Sequence, residues 1–131
     1  MTDRIFAVMK DLKVGKYVII EDIPCRIVEI EVSAPGKHGA AKMRVTAMGI
    51  FDGQKKTLLK PSDADVEVPI IERKSGQVVS ITGESVQIMD LADYSTFDMA
   101  IPQDIKNEMT AGKEVEYMES MGKKIITRVR G

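Results

Sequence analysis

From Val32 to Phe51 the chain carries no Asp or Glu, yet it holds Lys37, His38, Lys42 and Arg44. In a protein with 30% charged residues, this is a local concentration of positive charge. Its centre is Ser33-Ala34-Pro35-Gly36-Lys37-His38-Gly39. Pro35-Gly36 suits the two central positions of a type II turn, which puts Lys37 at the fourth, and Gly39 adds a second permissive backbone position. A lysine presented there is a compact cation on a flexible stem, suited to phosphate and sugar oxygens. A solvated hairpin tip would use the same residues, but a hairpin that only turns needs two, such as Asn-Gly, so the length of this loop requires a reason. A phosphate-cradling P-loop is excluded, because G-x-x-x-x-G-K-[ST] needs Gly where Glu31 stands and Ser or Thr where His38 stands. Lys42 and Arg44 alternate on one strand face below the tip, as phosphate contacts or as a solvated edge. His38 is either a further donor or an ordinary loop histidine.

The elements that position this loop read as strands. Tyr17–Ile20 and Cys25–Val32 are rich in β-branched residues, the second alternating imperfectly as a bent strand would. Lys42–Ala47 alternates cleanly, with Met43, Val45 and Ala47 on one face. Asp52-Gly53 signals a hairpin turn, Thr57–Leu59 resumes the sheet, and Lys60-Pro61-Ser62-Asp63 is expected to break it. Val66–Glu72 is extended around Pro69, and the domain boundary is placed there: residues 1–69 and 70–131. The second part has five strand-like runs, Gln77–Thr82, Ser85–Asp90, Tyr94–Ile101, Val115–Met118 and Lys124–Val129. Pro102–Met109, with Pro at its start and Gly112 beyond its end, is the one expected helix. Five strands with a helix before the fourth predict an OB-fold barrel.

Composition narrows the functions. Nineteen Lys and Arg against twenty Asp and Glu leave a net charge of −1, so no bulk field draws the protein to nucleic acid or acidic lipid. Cut after Pro69, the halves carry eleven basic and ten acidic residues, then eight and ten, so neither is a basic module. Any RNA binding is therefore local, and DNA is not an expected partner. The longest apolar run, Ile5–Met9, is far below the ~20 residues of a membrane span, and no secretory signal is expected. The single Cys25 allows no internal disulfide, which fits a cytoplasmic protein. One Cys and one His do not make the usual structural zinc set, so no metal or bound cofactor is expected. Cys25, in an apolar strand, reads as core rather than as a nucleophile. Tyr94, Phe97 and Tyr117 fall on the OB-like strands, where bases could stack, yet this half is net negative and most of them read as core. The nine methionines read as adaptable core filler.

The stretch Pro35-Gly36-Lys37-His38-Gly39-Ala40-Ala41-Lys42 closely resembles the signature loop of the translation initiation factor 5A family, relatives of bacterial elongation factor P. The resemblance extends through Lys60-Pro61-Ser62 and Val68-Pro69 into the carboxyl-terminal half. It implies a mainly β fold, an amino-terminal SH3-like barrel followed by an OB-fold barrel with one short helix. It implies that Lys37 is converted to hypusine or deoxyhypusine by an aminobutyl group from spermidine, with deoxyhypusine synthase as the modifying enzyme. Pro35, Gly36, His38 and Gly39 would support that lysine. The partners implied are the ribosome and peptidyl-tRNA, whose acceptor end the long cation approaches at stalling sequences such as consecutive prolines. Lys37, His38, Lys42 and Arg44 are then the expected RNA contacts. Ala40 stands where the eukaryotic loop has His, and the eukaryotic amino-terminal extension is lacking, both as expected of an archaeal member.

The expected role is that of a translation factor and not an enzyme. A generic OB-fold RNA-binding protein or RNA chaperone without the modification would bind free RNA in a manner that survives Lys37→Ala. A small hydrolase using Cys25 and His38 would lose its activity in Cys25→Ala.

Overall fold

The computed structural model describes residues 3–33 and 41–130. Its strands are β1 (Arg4–Val8), β2 (Tyr17–Ile20), β3 (Ile23–Ser33), β4 (Lys42–Gly49), β5 (Lys55–Pro61) and β6 (Asp65–Pro69), then β7 (Glu72–Thr82), β8 (Ser85–Asp90), β9 (Thr96–Ala100), β10 (Glu114–Ser120) and β11 (Lys123–Val129). The chain divides into two compact units, Met1–Ile70 and Ile71–Gly131.

In the first unit β2, β3, β4 and β5 form a sheet in that order, and β1 and β6 form a separate antiparallel ribbon. β6 lies against β2, so the sheet curls over the ribbon into an SH3-like half-barrel. Val18, Cys25, Ile27, Val45 and Ala47 fill it together with Met9, all without solvent exposure. The clean alternation of Met43, Val45 and Ala47 places all three inside. The imperfect alternation of β3 has a local cause, a bulge at Val28 where the register with β4 slips by one residue. Cys25 and Ile27 face inward before the bulge and Ile30 after it, because one extra residue reverses the period of two.

Arg4–Val8, to which the sequence reading assigned no strand, is one, paired with β6 through Phe6 opposite Glu67. The expected break over Lys60-Pro61-Ser62-Asp63 falls in its second half: β5 runs through Pro61, because it is the sheet's edge and the missing amide of Pro61 removes no ladder bond there, and the turn takes Ser62 and Asp63. At the expected Asp52-Gly53 turn, Gly53 takes a positive φ of 66° and the Asp52 carboxylate accepts the Gln54 amide at 2.9 Å.

The second unit is a five-stranded OB-like sheet in the order β11-β10-β7-β8-β9, with β11 returning close to β9. β7 serves both sides of the barrel: Glu72–Gln77 pairs with β10 and Gly76–Thr82 with β8. Gly76 lies where the two ladders overlap, opposite both Val115 and Asp90. A Cβ there would stand 2.5 Å from Ile88 Cγ2 and 3.1 Å from the Met89 carbonyl oxygen, so only glycine fits without displacement. The expected helix is a 3-10 helix, Gln103–Glu108, too short between Pro102 and Gly112 to establish α-helical bonding. It still buries Ile105 against the core.

Tyr94 departs from the expected strand. The strand begins at Thr96, and Tyr94 sits in the preceding turn with φ 62° and 69% exposure. The cause is Asp90, whose Oδ1 accepts the Ala92 and Asp93 amides at 2.8 and 3.2 Å while its carbonyl accepts that of Tyr94 at 2.9 Å. These bonds wind the chain into a turn before it can pair with β8. Phe97 and Tyr117 meet edge to face, ring centroids 5.2 Å apart, with Tyr117 fully buried.

Candidate functional site

The described part of the acid-free window lies mainly on the end of β3 and on β4. The last pairs of these two strands are Glu31 opposite Arg44, Val32 opposite Met43 and Ser33 opposite Lys42. Pro35, Gly36, Lys37, His38 and Gly39 lie outside the described residues. The ladder beneath them rests on β-branched and alternating residues, with Val45 and Met43 buried on its inner face.

Lys42 and Arg44 are two residues apart on β4, both exposed, on the face opposite buried Met43 and Val45. Glu31 stands directly across from Arg44, and Glu29 across from Thr46, on that same outer face. The window free of acids along the chain is therefore not free of them in space. Antiparallel pairing folds the sequence preceding the window back beside it, and opposite charges facing each other across a ladder attract. Glu31 is the residue that sequence reading missed; its distance from Ser33, equal to that of Arg44 from Lys42, was the available signal. On the other flank, β5 places Pro61 beside Lys42 and the exposed Leu59 beside Arg44. The outer face of the stem thus carries two cations, with carboxylates on one side and an apolar residue on the other.

Cys25 is buried, its Sγ 3.3 Å from the Ile23 carbonyl, and burial pushes the thiol up from its ordinary value. This is an inert core thiol. A groove of about 430 Å³ in the first unit is floored by Ile19, Ile20 and Val66 and rimmed by Glu21, Asp22, Asp65 and Glu67. Arg4 reaches across from β1, donating from Nη1 to Asp22 at 3.3 Å and to Glu67 at 3.1 Å. Glu67 lies on β6 and Asp22 between β2 and β3, so Arg4 ties the ribbon to the sheet. Among the described residues no three His, Cys, Asp or Glu side chains gather as a metal site, and no helix is long and apolar enough to cross a membrane.

An SH3-like unit followed by an OB-fold unit, with an extended hairpin in the first, defines a class of two-domain translation factor. Residues 7–64 match the family described as translation initiation factor 5A-like, N-terminal, and residues 70–130 that described as eukaryotic elongation factor 5A hypusine, DNA-binding OB fold. The chain belongs to the translation initiation factor 5A family. It is 56% identical over 115 residues to the translation initiation factor 5A of Methanocella arvoryzae, covering 88% of this chain and 90% of that one. With the Archaeoglobus fulgidus protein of the same name it shares 50% identity over 121 residues, 92% of this chain and 94% of that one. The solved structure of eukaryotic translation initiation factor 5A from Methanococcus jannaschii superposes with a TM-score of 0.92 at 48% identity, covering 100% of both chains.

Proposed function

We propose that this protein is a ribosome-bound elongation helper whose working part is a hypusine or deoxyhypusine at Lys37. The observation that carries this reading is membership of the family along both units, supported by a β3–β4 ladder whose last described pair, Ser33 opposite Lys42, flanks in sequence the segment that contains Lys37. In the modification, the bond between the secondary nitrogen and the butyl carbon of spermidine breaks. The lysine Nζ takes that carbon, and diaminopropane leaves; deoxyhypusine synthase is the proposed enzyme. The lengthened side chain is thin and carries a second amine, so it reaches phosphate and sugar oxygens beside the peptidyl-tRNA without bulk. Its contribution is to order the acceptor end, which reduces the entropic cost of aligning the reactants while the ribosome performs the chemistry. His38, Lys42 and Arg44 supply further contacts to RNA, and Pro35, Gly36 and Gly39 shape the loop. The site of action is the cytoplasm.

Peptide mass spectrometry across Lys37, on protein from its native cells, tests the modification. An added aminobutyl group, with or without a hydroxyl, supports it and distinguishes the two products. Plain lysine at full occupancy would exclude the modified-cation mechanism in favour of unmodified RNA binding. In reconstituted translation of a message encoding consecutive prolines, Lys37→Arg is expected to lose the stimulation with the fold intact.

A further inference from the structure

The second leg of the hairpin is held by more than its ladder. Ala41, the first described residue after the loop, gives its carbonyl oxygen to the Ser62 amide at 2.7 Å. Ser62 in turn accepts the Lys10 amide at 2.9 Å, and Ala64 accepts that of Met9 at 3.0 Å. Met9 is fully buried in the core of the first unit, so this chain of backbone bonds connects Ala41 to the core of the domain. Pro61 lies opposite Lys42, completing the contact. The first leg differs. β2 pairs with β3 only as far as Arg26, so beyond the Val28 bulge the ladder partner of β3 is β4 alone.

We infer that Ser62 is a positioning residue for Lys37: its backbone amide fixes the point at which the lysine loop rejoins the sheet, and so sets where Lys37 is offered to the aminobutyl-transferring enzyme and to the ribosome. This rests on the reading of Lys37 given above. The side chain of Ser62 plays no part in it. An anchor on one leg suffices, because the Ser33–Lys42 pair transmits the position of β4 to β3. The segment Lys60-Pro61-Ser62 therefore has a purpose that its residue types do not announce.

The turn provides a clean test. The Ala64 amide donates to the Pro61 carbonyl at 3.0 Å, and neither Ser62 nor Asp63 has a positive φ, so Pro61–Ala64 is a type I turn with Ser62 at its second position. Proline is favoured at that position, and Pro61, being in a strand, already has the extended conformation required before a proline. Ser62→Pro thus deletes the amide bonded to Ala41 and little else, while Ser62→Ala retains it. Purified full-length variants would be presented to deoxyhypusine synthase with spermidine, measuring kcat and KM for aminobutyl transfer beside the Tm of each protein. Ser62→Ala is expected to match the parent. Ser62→Pro is expected to keep its Tm within a few degrees and lose roughly tenfold in kcat/KM, within the ~100-fold that a 1 Å misplacement can cost. Transfer to Ser62→Pro at the parental rate would overturn the inference alone. A parent that accepts no aminobutyl group would overturn the reading of Lys37 and the inference with it. Should Ser62→Pro fail to fold, amide hydrogen exchange on the parent decides: a Ser62 amide exchanging as freely as an exposed loop amide would refute the anchor, and strong protection would support it.

Discussion

Tyr117 donates its phenolic hydrogen to Oδ2 of Asp90, and both side chains are buried, 2% and 5% exposed. The pair joins β10 to the end of β8, and the other carboxylate oxygen winds the turn that carries Tyr94. One buried charge thus shapes both the core and a loop of the second unit.

Stability should fall at both extremes of pH. The Tyr117 hydroxyl, aided by the Ala92 and Asp93 amides, holds the Asp90 carboxyl below its ordinary value against desolvation. The unfolded chain then binds that proton more readily, so this contribution is complete above pH ~4 and is lost as pH falls through the lower folded value. Burial first, then the Asp90 carboxylate, raises the Tyr117 phenol, so its contribution is complete below pH ~10 and declines as pH rises beyond it. Tyr117→Phe leaves a buried acceptor short of a donor and should cost about 1–3 kcal/mol at neutral pH while flattening the alkaline decline. Denaturant titrations followed by the tyrosine signal at several pH values check this; an unchanged alkaline limb would contradict it.

Gly76→Ala should destabilise the second unit by about 1–3 kcal/mol, the usual cost of overpacking. The added methyl meets Ile88 and the Met89 carbonyl on a strand committed to two ladders, and neither backbone can retreat without losing bonds. Chemical denaturation of parent and variant measures the difference. A variant as stable as the parent would show that β7 has room to shift.

Cys25 should resist alkylation in the native state. Its thiol is buried and raised by desolvation, so little thiolate exists near neutral pH and a reagent has no path to it. Iodoacetamide at pH 7.5 is expected to label one cysteine per chain after denaturation and none before. Rapid native labelling would contradict this placement and revive a reactive role for the residue.

Glu31→Gln should strengthen ribosome association by a few-fold at low salt. Glu31 faces Arg44 across the ladder, so its carboxylate stands beside the cations offered to phosphate, and neutralising it removes a repulsion from that surface. The gain should shrink as salt is raised, since screening weakens that repulsion. Pelleting assays at two ionic strengths measure it, with Arg44→Ala as the opposite change. Equal binding by parent and Glu31→Gln at low salt would remove Arg44 from the contact surface.

Much of this protein was legible from residue types alone. The Asp52-Gly53 turn, the alternation of Met43, Val45 and Ala47, the burial of Cys25 and the resemblance of the Pro35–Lys42 loop each depend on a few adjacent residues, which sequence displays directly. Tertiary structure decided what adjacency does not encode. The bulge at Val28 reverses the facing of β3, because a period of two specifies a face only until one residue is added. Asp90 turns Tyr94 outward while accepting Tyr117 inside, a choice between aromatic residues made by hydrogen bonds across 27 positions. Glu31 comes beside Arg44 only once the hairpin closes. The bond from Ser62 to Ala41 joins two backbones, and backbone groups are the same in every residue but proline, so no side chain could have announced it.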